Sequence, residues 1–195
     1  MDSTQEKSRL RQALKEQRRR LSPTEVVALS ERIHRHLVSL PVFREARSVG
    51  LFAGIERERE PDLSATAEWL RNAGRRSYFP YQRNAVCGFR EVTAGAPLQL
   101  GRMGFREPAA GAAEALEEDL DLILVPALAA TRDGLRLGFG SGFYDRVLPR
   151  FAPPAKAIVV VYAFQLVQQL PREPHDVPCA GVLTEQGLHD PVSGS

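Results

Sequence analysis

Three glycines at alternate positions, Gly138, Gly140 and Gly142, stand between an apolar run and an amphipathic segment, bracketed by Arg136 and Arg146 and accompanied by Asp145. Each of these residue types has a chemical use in such a place. Glycine lets the backbone take positive φ and lets a ligand approach bare amides, while a helix that starts directly afterwards presents unsatisfied N–H groups and a positive dipole end. Guanidinium groups pair with phosphate oxygens, and a carboxylate such as Asp145 is a hard oxygen ligand of the kind that holds Mg2+ beside phosphates. The combination suits a phosphate-bearing ligand, with Arg136 and Arg146 as candidate catalytic cations. It is neither a Walker A sequence, which requires Gly-Lys-Ser/Thr, nor a G-x-G-x-x-G dinucleotide fingerprint. By itself the glycine spacing fits a tight turn equally well, and singly Asp145 fits a helix cap and Arg146 a solvated charge.

The flanking elements must position this loop. Asp121-Leu-Ile-Leu-Val-Pro126 is a continuous apolar run with β-branched members, the pattern of a strand buried on both faces, and Phe143, Val147 and Leu148 recur at helical spacing. The loop is therefore expected in a strand-to-helix connection. Upstream, Ser3-x-x-Glu6 is a capping-box pattern opening a first helix with a narrow stripe of Leu10, Ala13 and Leu14. Lys7 and Arg11, four apart, fall on one face of that helix, where two stacked cations suit a polyphosphate. Ser22-Pro23-Thr24-Glu25 starts a second helix whose stripe of Val26, Leu29, Ile33 and Leu37 runs to Pro41. His34 and His36 lie on different faces of it and are expected at the surface.

Ser48 to Phe52 reads as a strand, followed by an alternating-charge loop with Glu56, Glu58 and Glu60, then a helix carrying Leu63, Ala67 and Leu70. A loop of this kind, at a strand's carboxyl end, is where open α/β sheets place ligands, although such charges also serve simply to solvate a turn. Ser77–Pro80, Val86–Val92, Lys156–Tyr162 and Gly181–Thr184 read as further strands, the last being the final one expected. A short helix is expected around Leu166, Val167 and Leu170, and residues 94–118 read as an irregular excursion. Alternating strands and helices imply an α/β fold with a mostly parallel sheet.

A chain of 195 residues can bury a substantial core, and a single domain over 1–195 is expected. Its longest apolar stretches fall well short of the ~20 residues that span a bilayer. Cys87 and Cys179 form no C-x-x-C pair, which together with the charged N-terminus fits a reduced, cytoplasmic setting. The net charge of +2 is uneven, with residues 1–20 at +4 and the remainder at −2. No aromatic residue interleaves the leading charges, which weakens a nucleic-acid reading.

Taken in order, Lys7-x-x-Leu10-Arg11, the glutamate-rich loop, Asp121–Pro126, Asp133-Gly134-x-Arg136-Leu137-Gly138-x-Gly140-x-Gly142-Phe143-Tyr144-Asp145-Arg146 and Asp176-Val177-Pro178 resemble the 5-formyltetrahydrofolate cyclo-ligase family over nearly the whole chain. The resemblance implies a three-layer α/β/α fold and ATP- and Mg2+-dependent closure of 5-formyltetrahydrofolate to 5,10-methenyltetrahydrofolate. It also implies site residues. ATP would meet Lys7, Arg11, Arg136 and the run Leu137, Gly138, Phe139, Gly140, Ser141, Gly142, Phe143 and Tyr144; Mg2+ would meet Asp145 and Asp176; and folate would meet Phe52, Phe143, Tyr144 and Glu58, with Glu56 and Glu60 as alternatives to Glu58. Several family members carry a basic residue at Phe139, and Lys or Gly at Ser141. A homologue that binds nucleotide or folate without turnover is the competing expectation.

Overall fold

The computed structural model describes residues 3–84, 86–93, 96–102, 104–172 and 176–190. The first helix, α1 (Ser3–Arg19), has a sparse apolar stripe and docks through Leu14, which is buried, with Leu10 partly covered. The Ser3 side chain, on which the first capping box depends, lies outside the described residues. The second box is present: Ser22 Oγ accepts from Glu25 N at 3.2 Å and Glu25 Oε2 accepts from Ser22 N at 2.7 Å, opening α2 (Pro23–Ser39). Pro41, expected only as a stop, also occupies the first turn of a short α3 (Pro41–Glu45), since its fixed φ suits that position.

Next come β1 (Ser48–Gly50), α4 (Ser64–Asn72), and the antiparallel hairpin of β2 (Arg76–Arg83) and β3 (Val86–Glu91). The excursion that follows holds a two-stranded ribbon, β4 (Gln99–Leu100) with β5 (Arg106–Glu107). Then β6 (Leu122–Pro126) enters the sheet. The glycine loop does not follow it directly, because β7 (Ala129–Ala130) and β8 (Arg136–Leu137) form an intervening hairpin before α5 (Phe143–Phe151). The chain closes with β9 (Lys156–Val160), β10 (Gly181–Thr184) and an unexpected β11 (Gly187–His189), which pairs antiparallel with β10.

The main sheet has seven strands in the order β11-β10-β9-β6-β1-β2-β3, parallel in its five central strands and antiparallel at both edges. Period-two alternation splits the apolar run of β6. Leu122 and Leu124 join Ile33, Leu37, Phe43 and Leu70 beneath α2, α3 and α4, while Ile123 and Val125 join Phe143, Val147 and Phe151 beneath α5. Two covered faces make the three-layer α/β/α fold that the sequence implied.

Two local expectations fail for identifiable reasons. Around Leu166 there is only a 3-10 turn, Ala163–Gln165; the Gln165 amide donates to Ala127 O and Leu128 O, and Val167 N is committed to Ala130 O at 2.9 Å, so the backbone continues extended. His34 is half-buried rather than at the surface, with Nδ1 3.0 Å from Thr66 Oγ1 between α2 and α4, and burial lowers its pKa. Among the described residues no helix is long and apolar enough to cross a membrane.

Candidate active site

From the adjacent strands β1 and β6 the chain leaves in opposite directions, through α4 to β2 on one side and through α5 to β9 on the other. Such a switch point leaves a crevice at the strands' carboxyl ends. A cavity of about 490 Å3 occupies it, with Phe52 just beyond β1 and Pro126 at the end of β6 in its wall.

One wall is cationic and glycine-rich. Gly140 and Gly142 have φ of +103° and +64°, and Gly142 immediately precedes α5, so the loop delivers bare backbone to the helix start. Helix α1 lies against this loop. Arg11 Nε donates to Gly138 O at 3.0 Å, and the Phe139 ring sits 5.0 Å from Lys15 Nζ and 5.1 Å from Arg18 Cζ. Arg136, whose side chain is 6% exposed, pairs with Asp145 and donates to Val177 O at 2.8 Å. Lys7, nearly buried, stands 3.5 Å from Asp176.

Thus Asp145 and Asp176, from distant segments, enter one cavity wall, each beside a cation. Among the described residues no group of three or more His, Cys, Asp and Glu side chains could enclose a metal unaided, and His175 lies outside the described residues. Two hard carboxylates nonetheless fit Mg2+, which is commonly held by one or two carboxylates together with substrate phosphates and water. Arg146 is not part of the wall; its guanidinium donates to Ser141 O at 3.0 Å and Gln82 Oε1 at 3.2 Å, bracing the loop from outside.

The opposite wall is apolar and acidic. Phe52, Ile55, Phe105, Phe143 and Tyr144 contribute hydrophobic surface, and Phe143 stacks edge-on with Phe105 and Tyr144. Both Glu58 and Glu60 are buried and line the cavity, whereas Glu56 is exposed and outside it. Glu58 Oε1 pairs with Arg19 at 2.6 Å, and its Oε2 has no hydrogen-bond partner. Glu60 Oε2 accepts from Ile55 N at 2.8 Å; burial raises its pKa against the opposing pull of Arg18 and that hydrogen bond. The Tyr144 hydroxyl is likewise buried without a partner, its pKa raised by burial and further by Glu60. Buried polar groups are normally satisfied, and both of these unpartnered atoms belong to residues that line the cavity.

Sequence reasoning did not single out Lys15, Arg57, Pro80 or Phe105 for this cavity. Phe105, an isolated aromatic in a Gly- and Ala-rich stretch, carried the one available signal.

A glycine loop and an aromatic and acidic wall around one cavity at a sheet switch point define an α/β protein with a candidate small-molecule site. The family can be stated more narrowly. The model of the 5-formyltetrahydrofolate cyclo-ligase family matches residues 3–185, and the chain belongs to that family. It is 36% identical to 5-formyltetrahydrofolate cyclo-ligase of Mycolicibacterium smegmatis, covering 93% of this chain and 95% of the relative, and 30% identical to that of Escherichia coli K12, covering 88% and 96%. The NMR structure of Aquifex aeolicus 5,10-methenyltetrahydrofolate synthetase superposes with a TM-score of 0.85 at 32% identity, covering 97% of this chain and 94% of that one.

Proposed function

We propose that this chain is an ATP- and Mg2+-dependent 5-formyltetrahydrofolate cyclo-ligase, releasing 5,10-methenyltetrahydrofolate, ADP and phosphate. The observation that carries the reading is one cavity with the Lys7, Arg11, Arg136 and glycine-loop wall facing the Phe52, Glu58, Glu60 and Tyr144 wall. A phosphoryl group and a pterin can then meet across it.

The chemistry needs that juxtaposition. A formamide oxygen is a poor leaving group; transfer of the γ-phosphoryl group to it, with ADP as the leaving group, gives an iminium phosphate, N10 attacks the activated carbon and gives up its proton to solvent, and the C–O bond breaks as phosphate departs. Phosphoryl transfer asks the protein chiefly for alignment and charge neutralisation. Lys7, Arg11 and Arg136 supply the positive charge, and the backbone from Leu137 through Gly142 cradles the phosphates. Asp145 and Asp176 would hold Mg2+, which supplies charge neutralisation between phosphate oxygens when bound. For folate, Phe52, Phe143 and Tyr144 pack the ring system, while Glu58 and Glu60 accept its N–H donors. Arg146 acts by fixing the loop.

Phe139 is consistent with this reading despite replacing a basic residue of other family members, because its ring carries Lys15 and Arg18 of α1 against the loop. The setting that fits is cytoplasmic, with small-molecule partners and neither nucleic acid nor membrane. Purified protein, 5-formyltetrahydrofolate, ATP and Mg2+ should give the near-ultraviolet absorbance of the methenyl product, with no signal when ATP or metal is omitted. Protein that binds both ligands and yields no product would overturn the assignment.

A further inference from the structure

Arg18 is 0% exposed and does not line the cavity, yet it touches what does. Its Nε donates to the carbonyl of Glu58, its Nη1 lies 3.8 Å from Glu60 Oε1 and 3.5 Å from Ala127 O just past β6, and its Cζ lies over the Phe139 ring, 5.1 Å from the centroid. Nη2 is buried without a hydrogen-bond partner. A guanidinium stays charged under such burial, and taking it out of water costs several kcal/mol even when paired. Glu60 Oε1, itself buried, pairs with it at 3.8 Å, and a buried pair of this kind is often no more stabilising than apolar groups in its place. What it does achieve is geometric: one rigid fork ties the glutamate turn to the end of the central strand and to the glycine loop.

We propose that Arg18 is a positioning residue for the folate-side glutamates, fixing from behind the wall where the Glu58 and Glu60 carboxylates stand. The proposal rests on the cyclo-ligase reading. Glu58 sits in a single 3-10 turn, Glu56–Glu58, that ends in left-handed Arg59 with φ of +51°. The turn is closed locally, with Glu58 N donating to Ile55 O and Arg59 N to Glu56 O, both at 2.9 Å, and Ile55 N donating to Glu60 Oε2 at 2.8 Å, but these bonds shape the turn without tying it to the rest of the fold. The Arg18 donation to the Glu58 carbonyl comes from 40 residues away in sequence and pins the turn to α1. Arg19, on the next residue of the same helix, holds the Glu58 side chain, but it is half-exposed and reaches the carboxylate alone. Lysine cannot replace Arg18 here, because a point ammonium lacks the planar fork that meets several acceptors while lying over a ring.

The test is steady-state kinetics of Arg18→Lys with each substrate varied in turn, run beside the unaltered protein. Turnover by the unaltered protein is required first; its absence would sink the cyclo-ligase reading rather than this one. Arg18→Lys is expected to raise KM for 5-formyltetrahydrofolate by about tenfold or more, while KM for ATP stays within about twofold, the loss of ~1.4 kcal/mol of binding at one substrate only. A folate KM within twofold of the unaltered value, or a parallel rise in both KM values, overturns the proposal. Should Arg18→Lys not fold, Arg18→Met/Glu60→Gln removes both buried charges and is compared with Glu60→Gln alone. A further rise in folate KM supports the role, since the Glu58 carbonyl has lost its donor; an unchanged value refutes it.

Discussion

Gly134→Ala tests how the β7–β8 hairpin places the Arg136 and Asp176 side of the cavity. Gly134 has φ of +87°, and a Cβ there would lie 2.1 Å from the carbonyl oxygen of Cys179, with the Cys179 C and N atoms at 3.0 Å. These are backbone atoms, so no side-chain rotation relieves the clash. The same contact is a hydrogen-bonded one, with Cys179 N donating to Gly134 O at 3.0 Å. A left-handed non-glycine residue costs about 1–3 kcal/mol, and breaking the bond to make room about 0.5–1.5 kcal/mol more. The expected destabilisation is therefore about 2–4 kcal/mol, and at ~2–4 °C per kcal/mol for a chain of this size the melting midpoint should fall by roughly 5–15 °C. Because Arg136 holds Val177 O from the same hairpin, the shift should reach Asp176 and raise KM for ATP as well. Gly111→Ala, where nothing lies within 4 Å of the added Cβ, is the control and should melt normally. Thermal unfolding by circular dichroism with parallel kinetics decides it. A Gly134→Ala protein with an unchanged midpoint and unchanged KM would refute the reasoning.

Asp145→Asn, which keeps an acceptor for Arg136 but loses the paired charge, should stay folded with at most a small fall in melting midpoint and lose ATP-dependent turnover by at least the ~10–100-fold that even an outer-shell metal-site change costs; near-normal kcat at saturating Mg2+ would remove Asp145 from the metal. Tyr144→Phe deletes a buried hydroxyl that has no partner, so urea unfolding should show the ligand-free protein unchanged or stabilised, by up to ~1 kcal/mol, while folate KM rises; a loss of stability would mean that the hydroxyl is satisfied in the free protein. Phe139→Ala removes the ring beneath Lys15, the α1 cation that lines the cavity, and at ~1–2 kcal/mol for a partly desolvated cation–π contact ATP KM should rise about five- to thirtyfold through the loss of that placement, with an unchanged ATP KM counting against a role for Lys15. Burial works against the Asp121 carboxylate, but donation from Arg47 N, Ser48 N and Ser48 Oγ outweighs it and lowers the pKa. A lowered folded-state pKa gives stability present above the ordinary aspartate range and lost as pH falls below it, so the stability gap between Asp121→Asn and the unaltered protein should be widest near neutrality and close in acid; a gap independent of pH would contradict this.

The parts legible in sequence were those with local chemical causes. Ser22, Pro23 and Glu25 declare a helix start because the cap is made within four residues, and the run from Leu122 to Val125 declares a doubly covered strand because both of its faces are apolar. Lys7, Arg11, Arg136, Asp145 and Asp176 converge on one cavity, as their place in a shared pattern implied. What sequence did not disclose depends on distant partners. Leu188 is too isolated an apolar residue to announce β11, which exists because the edge of β10 accepts it. The expected helix near Leu166 yields to Ala130, a pairing that apolar spacing does not encode. Sequence favours Glu58 with Glu56 and Glu60 as alternatives; burial admits both Glu58 and Glu60 and leaves Glu56 in solvent. Arg146 carries the right charge beside the right loop, and only the positions of Ser141 O and Gln82 place it outside the wall.

Among the described residues, the unpartnered buried side-chain atoms include Glu58 Oε2 and the Tyr144 hydroxyl, on residues lining the cavity, and Arg18 Nη2, Arg90 Nε and the Tyr162 hydroxyl, on residues that do not line it. On the phosphate side the charged residues have mates: Arg136 has Asp145 and Val177 O, Lys7 has Asp176, and Arg11 has Gly138 O. Exchanging such partners for phosphate and metal trades one set of charge-assisted bonds for another, which suits a nucleotide that must enter and leave each cycle. On the folate side Glu58 Oε2 and the Tyr144 hydroxyl are buried without partners, as is the neighbouring Arg18 Nη2. Such a group costs about 1–3 kcal/mol in the free protein; on the proposed reading a folate edge reaching Glu58 and Tyr144 would offset it there, whereas Arg18 Nη2, behind the wall, gains no ligand partner. A wall of this kind discriminates strongly, because an analogue lacking one matching group leaves a buried atom unsatisfied and gains nothing from the remaining contacts at that position. On the proposed reading the nucleotide side would provide charge and alignment while recognition of the second substrate would rest on a few polar atoms of the glutamate turn, which is where the placement of that turn by Arg18 would act.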